Sequence, residues 1–131
     1  MVTNIVVTKT TTFGGSLLVV VGLLGFVTPG LMGMHLSVLH KAVYLLSGAT
    51  AIYFGLKATP VVARAFCLVF GMLYGLLGLA GLVAGTRNYT LTIVPGALIL
   101  RPMDHLFHLI LGATFLVVGW FERATAMPAT R

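Results

Sequence analysis

Four long apolar segments, separated by short polar or proline-containing connections, constrain this chain more than any other feature. Each approaches or exceeds the ~20 helical residues that cross a hydrocarbon core about 30 Å thick, and the first is near the short end. Backbone groups find no water in lipid, and the segments lack the alternation of barrel strands, so we expect helices. The sequence predicts an all-α membrane protein, one domain over residues 1–131, with four transmembrane helices at about 12–28, 38–57, 61–85 and 103–122.

Charged residues are scarce, at 8% of the chain, whereas a soluble domain carries about 25%. So few charges could not cover the surface of a soluble fold, and lipid is the expected solvent for most of the chain. The net charge of +6 does not indicate nucleic-acid binding, because the bases are scattered singly at the ends of the apolar segments. They are Lys9, Lys41, Lys57, Arg64, Arg87, Arg101, Arg123 and Arg131.

The distribution of these bases predicts the orientation. With four spans, both termini and the turn at 57–64 lie on one side of the membrane, which then carries five bases against three. Basic loops stay in the cytoplasm, so we expect cytoplasmic N- and C-termini in a bacterial inner membrane or a photosynthetic membrane. Pro29 and Gly30 stop the first segment without a small-x-small cleavage site, and we interpret it as a retained span.

An internal repeat relates the first two segments to the last two. A shift of 56 residues pairs Gly15/Gly71, Leu17/Leu73, Gly22/Gly78, Leu23/Leu79, Gly25/Gly81 and Val27/Val83. A shift of 64 residues pairs Leu45/Leu109, Gly48/Gly112, Ala49/Ala113, Thr50/Thr114 and Gly55/Gly119. We interpret the chain as two tandem helical hairpins, a parallel repeat about a pseudo-twofold axis along the membrane normal. A chance match is the alternative, because glycine and leucine are common in membrane helices.

Glycines form a continuous stripe on the third segment, because they recur every three or four residues. Small residues let helix backbones approach closely in lipid, so we expect the stripe to pack inside the bundle, and a dimerisation face is the alternative. Gly48 and Gly112 are expected to serve helix packing on the second and fourth segments. The stripe consists of Gly71, Gly75, Gly78, Gly81 and Gly85.

Polar side chains collect near the start of the second and fourth segments. Both segments begin on the outer side in the predicted topology, so these side chains should share one layer. Asp104 and His108 are four residues apart on one helix face, which Gly112 continues, and the repeat places His40 and Tyr44 at the matching positions. The layer, a candidate ligand set or polar interface, comprises His35, His40, Tyr44, Asp104, His105 and His108.

Two hypotheses for this layer remain open. In the structural one, Asp104 is favourable near a helix N-terminus, and Asp104 and His108 bond each other or a neighbouring helix. In the ligand hypothesis, chlorophyll, haem or a metal binds through His108, and the spacing of three between His105 and His108 can place two nitrogens on one ion. No second acid or thiol accompanies them, so the structural hypothesis is favoured and no cofactor is expected.

Catalytic motifs are missing from the sequence, which has no nucleophile elbow, phosphate loop, zinc-protease motif or paired carboxylates. Asp104 and Glu122 are its two acids, so acid–base catalysis has few candidates and we expect no enzyme. A transporter is disfavoured because mid-membrane ionisable residues are lacking. The apolar connection "LTIVPGALIL" at 91–100 is expected to lie on the membrane surface or to dock on the bundle or a partner.

Two motifs resemble those of a bacterial family of small, uncharacterised four-helix membrane proteins, classed as a domain of unknown function. Its first helix is glycine-rich and ends in Gly-Phe-x-Pro-Gly, and its second and fourth helices open with Asn or Asp, His four later and Gly four after that. Here "GFVTPG" at 25–30 carries the first motif with one inserted residue, and "DHLFHLILG" at 104–112 carries the second. "HKAVYLLSG" at 40–48 departs from it, with His40 and Tyr44 replacing Asn and His. The resemblance covers about residues 13–121 and implies the fold without an established activity.

These observations favour a small, non-catalytic integral membrane protein. We expect an accessory or structural subunit that packs against a larger membrane protein complex or forms a homo-oligomer, surrounded by lipid and without nucleic acid. The alternative from another class is a binding module whose histidine ligates a pigment, haem or metal within a photosynthetic or respiratory complex. A small transporter is the second alternative.

Overall fold

The computed structural model describes residues 2–28, 30–86 and 88–125, and the side chains of 5–28, 30–86 and 88–122. The expectations for Pro29, Arg87, Arg131 and the side chain of Arg123 lie outside the described residues. The elements are α1 (Val2–Val27), a 3₁₀ turn (Leu31–Gly33), α2 (Val38–Lys57), α3 (Pro60–Ala84), β1 (Leu91–Val94), β2 (Leu98–Leu100) and α4 (Pro102–Thr125).

Three helices begin where the sequence predicts, because a polar side chain or a proline suits the first turn. Ser37 caps α2 by accepting a hydrogen bond from the amide three residues later at 3.2 Å. Thr59 does the same for α3 at 3.5 Å, with Pro60 at the first helical position. Pro102 opens α4 in the same way.

The first helix begins at Val2, well before the predicted span at 12–28. Its polar, threonine-rich beginning is helical as well. The hydroxyl of Thr11 donates to the carbonyl of Val7 at 2.7 Å, so the side chain bonds within the helix. A hydroxyl satisfied in this way no longer offers the backbone a non-helical alternative. The helix therefore continues through the polar residues that precede the predicted span.

Three of the described helices are long and apolar enough to cross a membrane, over Ile5–Val27, Pro60–Ala84 and Pro102–Glu122. They correspond to the first, third and fourth predicted spans. The remaining helix, α2, has 20 residues and carries several polar side chains, among them His40 and Lys41. The mostly helical fold with three such helices is consistent with an integral membrane protein.

The helices pack in two antiparallel pairs, α1 with α2 and α3 with α4. Glycines let each pair approach closely near its middle. A Cβ atom added to Gly15 would lie 2.7 Å from the carbonyl oxygen of Gly48, and one added to Gly71 would lie 2.8 Å from that of Gly112. Both distances are too short for a carbon atom, so a larger residue at either position would force the backbones apart.

The two pairs contact each other through a core that is aromatic at one end and polar at the other. Phe54 of α2 stacks on Phe66 of α3 with 4.8 Å between ring centroids. The hydroxyl of Thr11 on α1 lies 3.1 Å from the sulfur of Cys67 on α3. At the opposite end of α2 the contacts are made by histidine, tyrosine and aspartate side chains.

The apolar connection at 91–100 forms a short β-hairpin rather than an irregular loop. β1 and β2 pair antiparallel, with Leu91 opposite Leu100, and Gly96 adopts a φ of +72° in the turn between them. The hydroxyl of Ser37 donates to the carbonyl of Ala97. Since Leu100 is also buried, the hairpin docks on the end of the bundle where α2 begins.

Candidate functional site

The first turns of α2 and α4 lie side by side and bring most of the predicted polar layer together. Five of its six side chains are almost fully buried, with exposed fractions of 2% for His40, 1% for Tyr44 and His108, and 0% for Asp104 and His105. Polar groups withdrawn from water need partners, because each unsatisfied one costs about 1–3 kcal/mol. The hydrogen bonds of this cluster therefore indicate what it can do.

Tyr44 and His108 form a direct bond between the two helix pairs. The phenol oxygen lies 2.9 Å from Nε2 of the imidazole. Tyr74 of α3 approaches the same imidazole edge-on, with 5.3 Å between ring centroids. The sequence placed Tyr44 in the layer but did not single out Tyr74. The sequence could have indicated Tyr74 as a buried residue, because it lies on the same helical face as Gly71 and Gly78.

The Asp104 carboxylate ties α4 to the connection between α1 and α2. Its Oδ2 accepts from the amide of Arg101 at 2.7 Å and from the amide of His35 at 3.2 Å. The first of these bonds caps α4 from its third residue. His40 lies near the other oxygen, with 4.0 Å between its Nδ1 and Oδ1. Within the described residues no hydrogen bond joins Asp104 to His108, because each reaches across to the first helix pair.

His105 points away from this cluster. Its Nε2 lies 2.8 Å from the carbonyl oxygen of Tyr89, in the connection after α3. Its ring packs directly on Gly81. His105 and His108 therefore do not converge on one point. Among the described residues there is no group of three or more His, Cys, Asp or Glu side chains that could hold a metal ion.

The glycine stripe of α3 packs mainly against α4. A Cβ atom on Gly78 would lie 2.8 Å from the carbonyl oxygen of His105, and Gly71 and Gly81 are equally close to α4. Gly75 differs, since a Cβ there would meet only a Leu116 methyl group at 3.9 Å. The fifth glycine of the stripe ends the helix.

Lys41 is buried, although in the sequence it served only as one of the bases that predict the membrane orientation. It is 7% exposed, and its Nζ donates to the carbonyl of Gly25 at 3.3 Å and lies 4.5 Å from the ring centroid of Phe26. A cation at a helix C-terminus is favourable, so Lys41 caps the end of α1. The repeat aligns it with His105, which is also buried.

A cavity of about 240 Å³ adjoins the polar cluster. His40, Tyr44, Tyr74 and His108 border it, and the rest of its lining is apolar and comes from α2, α3 and β2. A larger groove of about 580 Å³ lies between α1 and α4 and is almost wholly apolar, with Lys9 at its edge. Both cavities expose almost only apolar surface.

Comparison with known proteins identifies the family. No curated protein and no solved structure matches the chain. The model of a family described as a domain of unknown function, DUF4383, matches residues 9–121, which include both motifs and the whole polar layer. This confirms the resemblance seen in the sequence: the chain belongs to DUF4383, a family of unknown function.

Proposed function

We propose that the protein is a non-catalytic four-helix membrane scaffold and acts as an accessory subunit of a larger membrane assembly. The main support for this proposal is that the buried polar side chains bond inside the protein, between the two helix pairs. Tyr44, Asp104 and His108 bond across the two helix pairs, whereas the outward side chains of α1, α3 and α4 are mostly apolar. The polar chemistry is thus used to hold the protein together.

A membrane-spanning α2 is part of this proposal. Its support is the length over which α2 follows α1: Gly55 lies against Thr12 near one end, and Lys41 lies against Gly25 near the other. A helix that stays beside a span over this length crosses a similar thickness. Its polar residues do not oppose this arrangement, because Lys41 is buried in protein rather than in lipid.

The internal repeat is supported by matching contacts in the two helix pairs. Gly15 faces Gly48 in the first pair as Gly71 faces Gly112 in the second. The shifts of 56 and 64 residues relate these two contacts. A second contact follows the same rule, since Gly22 meets Leu45 and the aligned glycine of α3 meets the aligned leucine of α4. Matching contacts in both helix pairs favour a repeat over a chance match of glycines.

A partner is suggested by the β-hairpin, which lies beyond the end of the bundle. In the hairpin Ile93 is 44% exposed and Val94 is 40% exposed, and Tyr89, in the connection just before it, is 53% exposed. Apolar side chains outside the lipid favour contact with another protein. With the predicted cytoplasmic termini, the hairpin would face the outer side of a bacterial inner membrane.

The second candidate, a histidine-ligated pigment, haem or metal, has less support. His108 already uses Nε2 for Tyr44, and the cavity of about 240 Å³ beside it is smaller than a drug-sized pocket of about 300–1,000 Å³. A small transporter also has less support, because the polar layer lies at one end of the bundle.

Purification in a gentle detergent tests the accessory role. The tagged protein should bring down a defined membrane protein partner in constant proportion, and Ile93→Asn with Val94→Asn should release it. Thr92→Asn, on the same exposed strand, is the matched control and should retain the partner. An absorption spectrum and a metal analysis of the same sample test the second candidate. A stoichiometric pigment or metal that is lost in His108→Ala would replace the scaffold proposal.

A further inference from the structure

We propose that the groove between α1 and α4 seats an acyl chain of an anionic phospholipid, whose headgroup phosphate is held by Lys9. This inference goes beyond the scaffold role and does not depend on a partner protein. It rests on the apolar lining of the groove, on its length, and on the positive charge at one of its ends.

The groove faces the lipid along the outside of the bundle. Phe13 of α1 and Ile110 of α4 border it and are 74% and 60% exposed. Leu111 and Phe115 also line it, and because they are buried they form its floor. Contacts between α1 and α4 are sparse compared with those inside each helix pair. A hydrocarbon chain in this groove gains van der Waals contacts from both helices, which is how apolar groups associate in lipid.

The length of the groove matches one leaflet of the bilayer. Its lining on α1 runs from Lys9 to Leu17, eight residues apart, which is about 12 Å of helix. Half of the hydrocarbon core is about 15 Å thick, and Leu17 lies near the middle of the span Ile5–Val27. A partner helix about 10–12 Å wide that crosses the whole core would cover this groove without filling it. A single acyl chain of the leaflet in which α1 begins fits its length.

Lys9 lies at the end of the groove nearest the start of α1. Its side chain is exposed and begins four residues inside the span Ile5–Val27. The long, flexible stem of a lysine lets the ammonium group extend from such a position to the headgroup layer. Among the described side chains no carboxylate forms an ion pair with Lys9. Its charge is therefore left for an anion at the membrane surface.

The surrounding charges favour an anionic headgroup over a zwitterionic one. Lys57 and Arg64 lie at the same end of the bundle as Lys9, and the described acid at that end, Glu122, is buried. The other acid of the chain, Asp104, lies at the opposite end. Basic residues near the membrane surface attract anionic lipids. The apolar groove and the positive charge thus complement the two parts of one anionic phospholipid.

Quenching of tryptophan fluorescence by phospholipids with brominated acyl chains tests the proposal in vesicles. Trp120→Phe removes the single tryptophan of the chain, and Phe13→Trp then places a probe in the groove. Brominated phosphatidylglycerol should bind at this probe about fivefold more tightly than brominated phosphatidylcholine. Lys9→Gln should remove this preference. Lys57→Gln, which changes an exposed base at the same end but outside the groove, should retain it.

A second probe separates the groove from the ordinary lipid surface of the protein. Val69 of α3 is 61% exposed, lies outside the groove and sits at a similar depth to Phe13. With Val69→Trp as the probe in the same background, both lipids should quench equally. An equal preference at the two probes, or a preference that survives Lys9→Gln, would overturn the proposal. Absence of quenching by either lipid at Phe13→Trp would show that protein, rather than lipid, covers the groove.

Two neighbouring residues of α4 test whether the acyl chain lies in the groove. Thr114 lines it and Ala113 does not, and both are exposed, so a larger side chain at either position should not unfold the protein. With the Phe13→Trp probe, Thr114→Phe should reduce quenching by both lipids, because the added ring fills the groove. Ala113→Phe should leave quenching unchanged. Undiminished quenching in Thr114→Phe would overturn the seating of the chain.

Discussion

The phenol oxygen of Tyr44 lies 2.9 Å from Nε2 of His108, and this bond joins α2 of the first helix pair to α4 of the second. Both side chains are withdrawn from solvent and from lipid. Glycine contacts set the spacing within each pair, but they do not fix how one pair is placed against the other. The directional bond between Tyr44 and His108 helps to fix the placement of one helix pair against the other.

Tyr44→Phe and His108→Leu should be coupled in stability. Each single change leaves one buried polar group without its partner, whereas the double change removes both, so the double variant should cost less than the sum of the singles. The expected coupling is about 0.6–1.7 kcal/mol, the range for side-chain bonds between membrane helices. Unfolding in mixed micelles measures it. Tyr53→Phe, an exposed tyrosine on α2, serves as the control and should have little effect. Additive losses would show that the bond contributes nothing.

Asp104→Ala should loosen the connection between α1 and α2. The carboxylate accepts from the amides of Arg101 and His35, and alanine would leave both without a partner, at about 1–3 kcal/mol each. Asp104→Asn should cost less, because its amide oxygen can take the place of Oδ2, which accepts both of these bonds. Hydrogen exchange at the His35 amide should accelerate in Asp104→Ala more than in Asp104→Asn. Unchanged exchange at His35 in both variants would contradict this role.

Helix positions were predictable because local chemistry specifies them. Ser37 and Thr59 cap their helices, and the apolar segments have membrane lengths. The β-hairpin was missed because "LTIVPGALIL" does not alternate apolar and polar residues, although its Pro-Gly pair is a turn signal. The early start of α1 was missed because hydroxyls such as that of Thr11 bond back to the helix.

The polar layer was predictable from topology, but its partners were not. A spacing of four residues suggests a bond between Asp104 and His108, since it places both on one helix face. In the structure, His35 and Tyr44 bond these two side chains instead. Sequence spacing describes one helix, whereas the direction of its polar face towards another helix depends on packing. Tertiary contacts therefore decided the pairing.

The termini should lie in the cytoplasm. The motivation is the excess of bases on the side that carries both termini and the turn at 57–64. A reporter that folds only in the cytoplasm should be active when it is fused after Arg131 and silent when it is fused after Asn88. The reverse pattern would show that the orientation is inverted, and activity at both positions would show that α4 does not span the membrane.

Alanine substitutions at two glycines of α3 should have opposite effects. A Cβ atom at Gly71 would lie 2.7 Å from the backbone nitrogen of Leu116 and 2.8 Å from the carbonyl oxygen of Gly112, so Gly71→Ala must push α3 and α4 apart. Overpacking of this kind costs about 1–3 kcal/mol. At Gly75 the nearest atom is a Leu116 methyl group at 3.9 Å, which is an ordinary contact. Gly75→Ala should therefore be neutral or stabilise the helix by up to about 1 kcal/mol. Unfolding of both variants in the same micelles compares them directly, and equal losses would mean that general helix distortion, rather than contact with α4, explains the stripe.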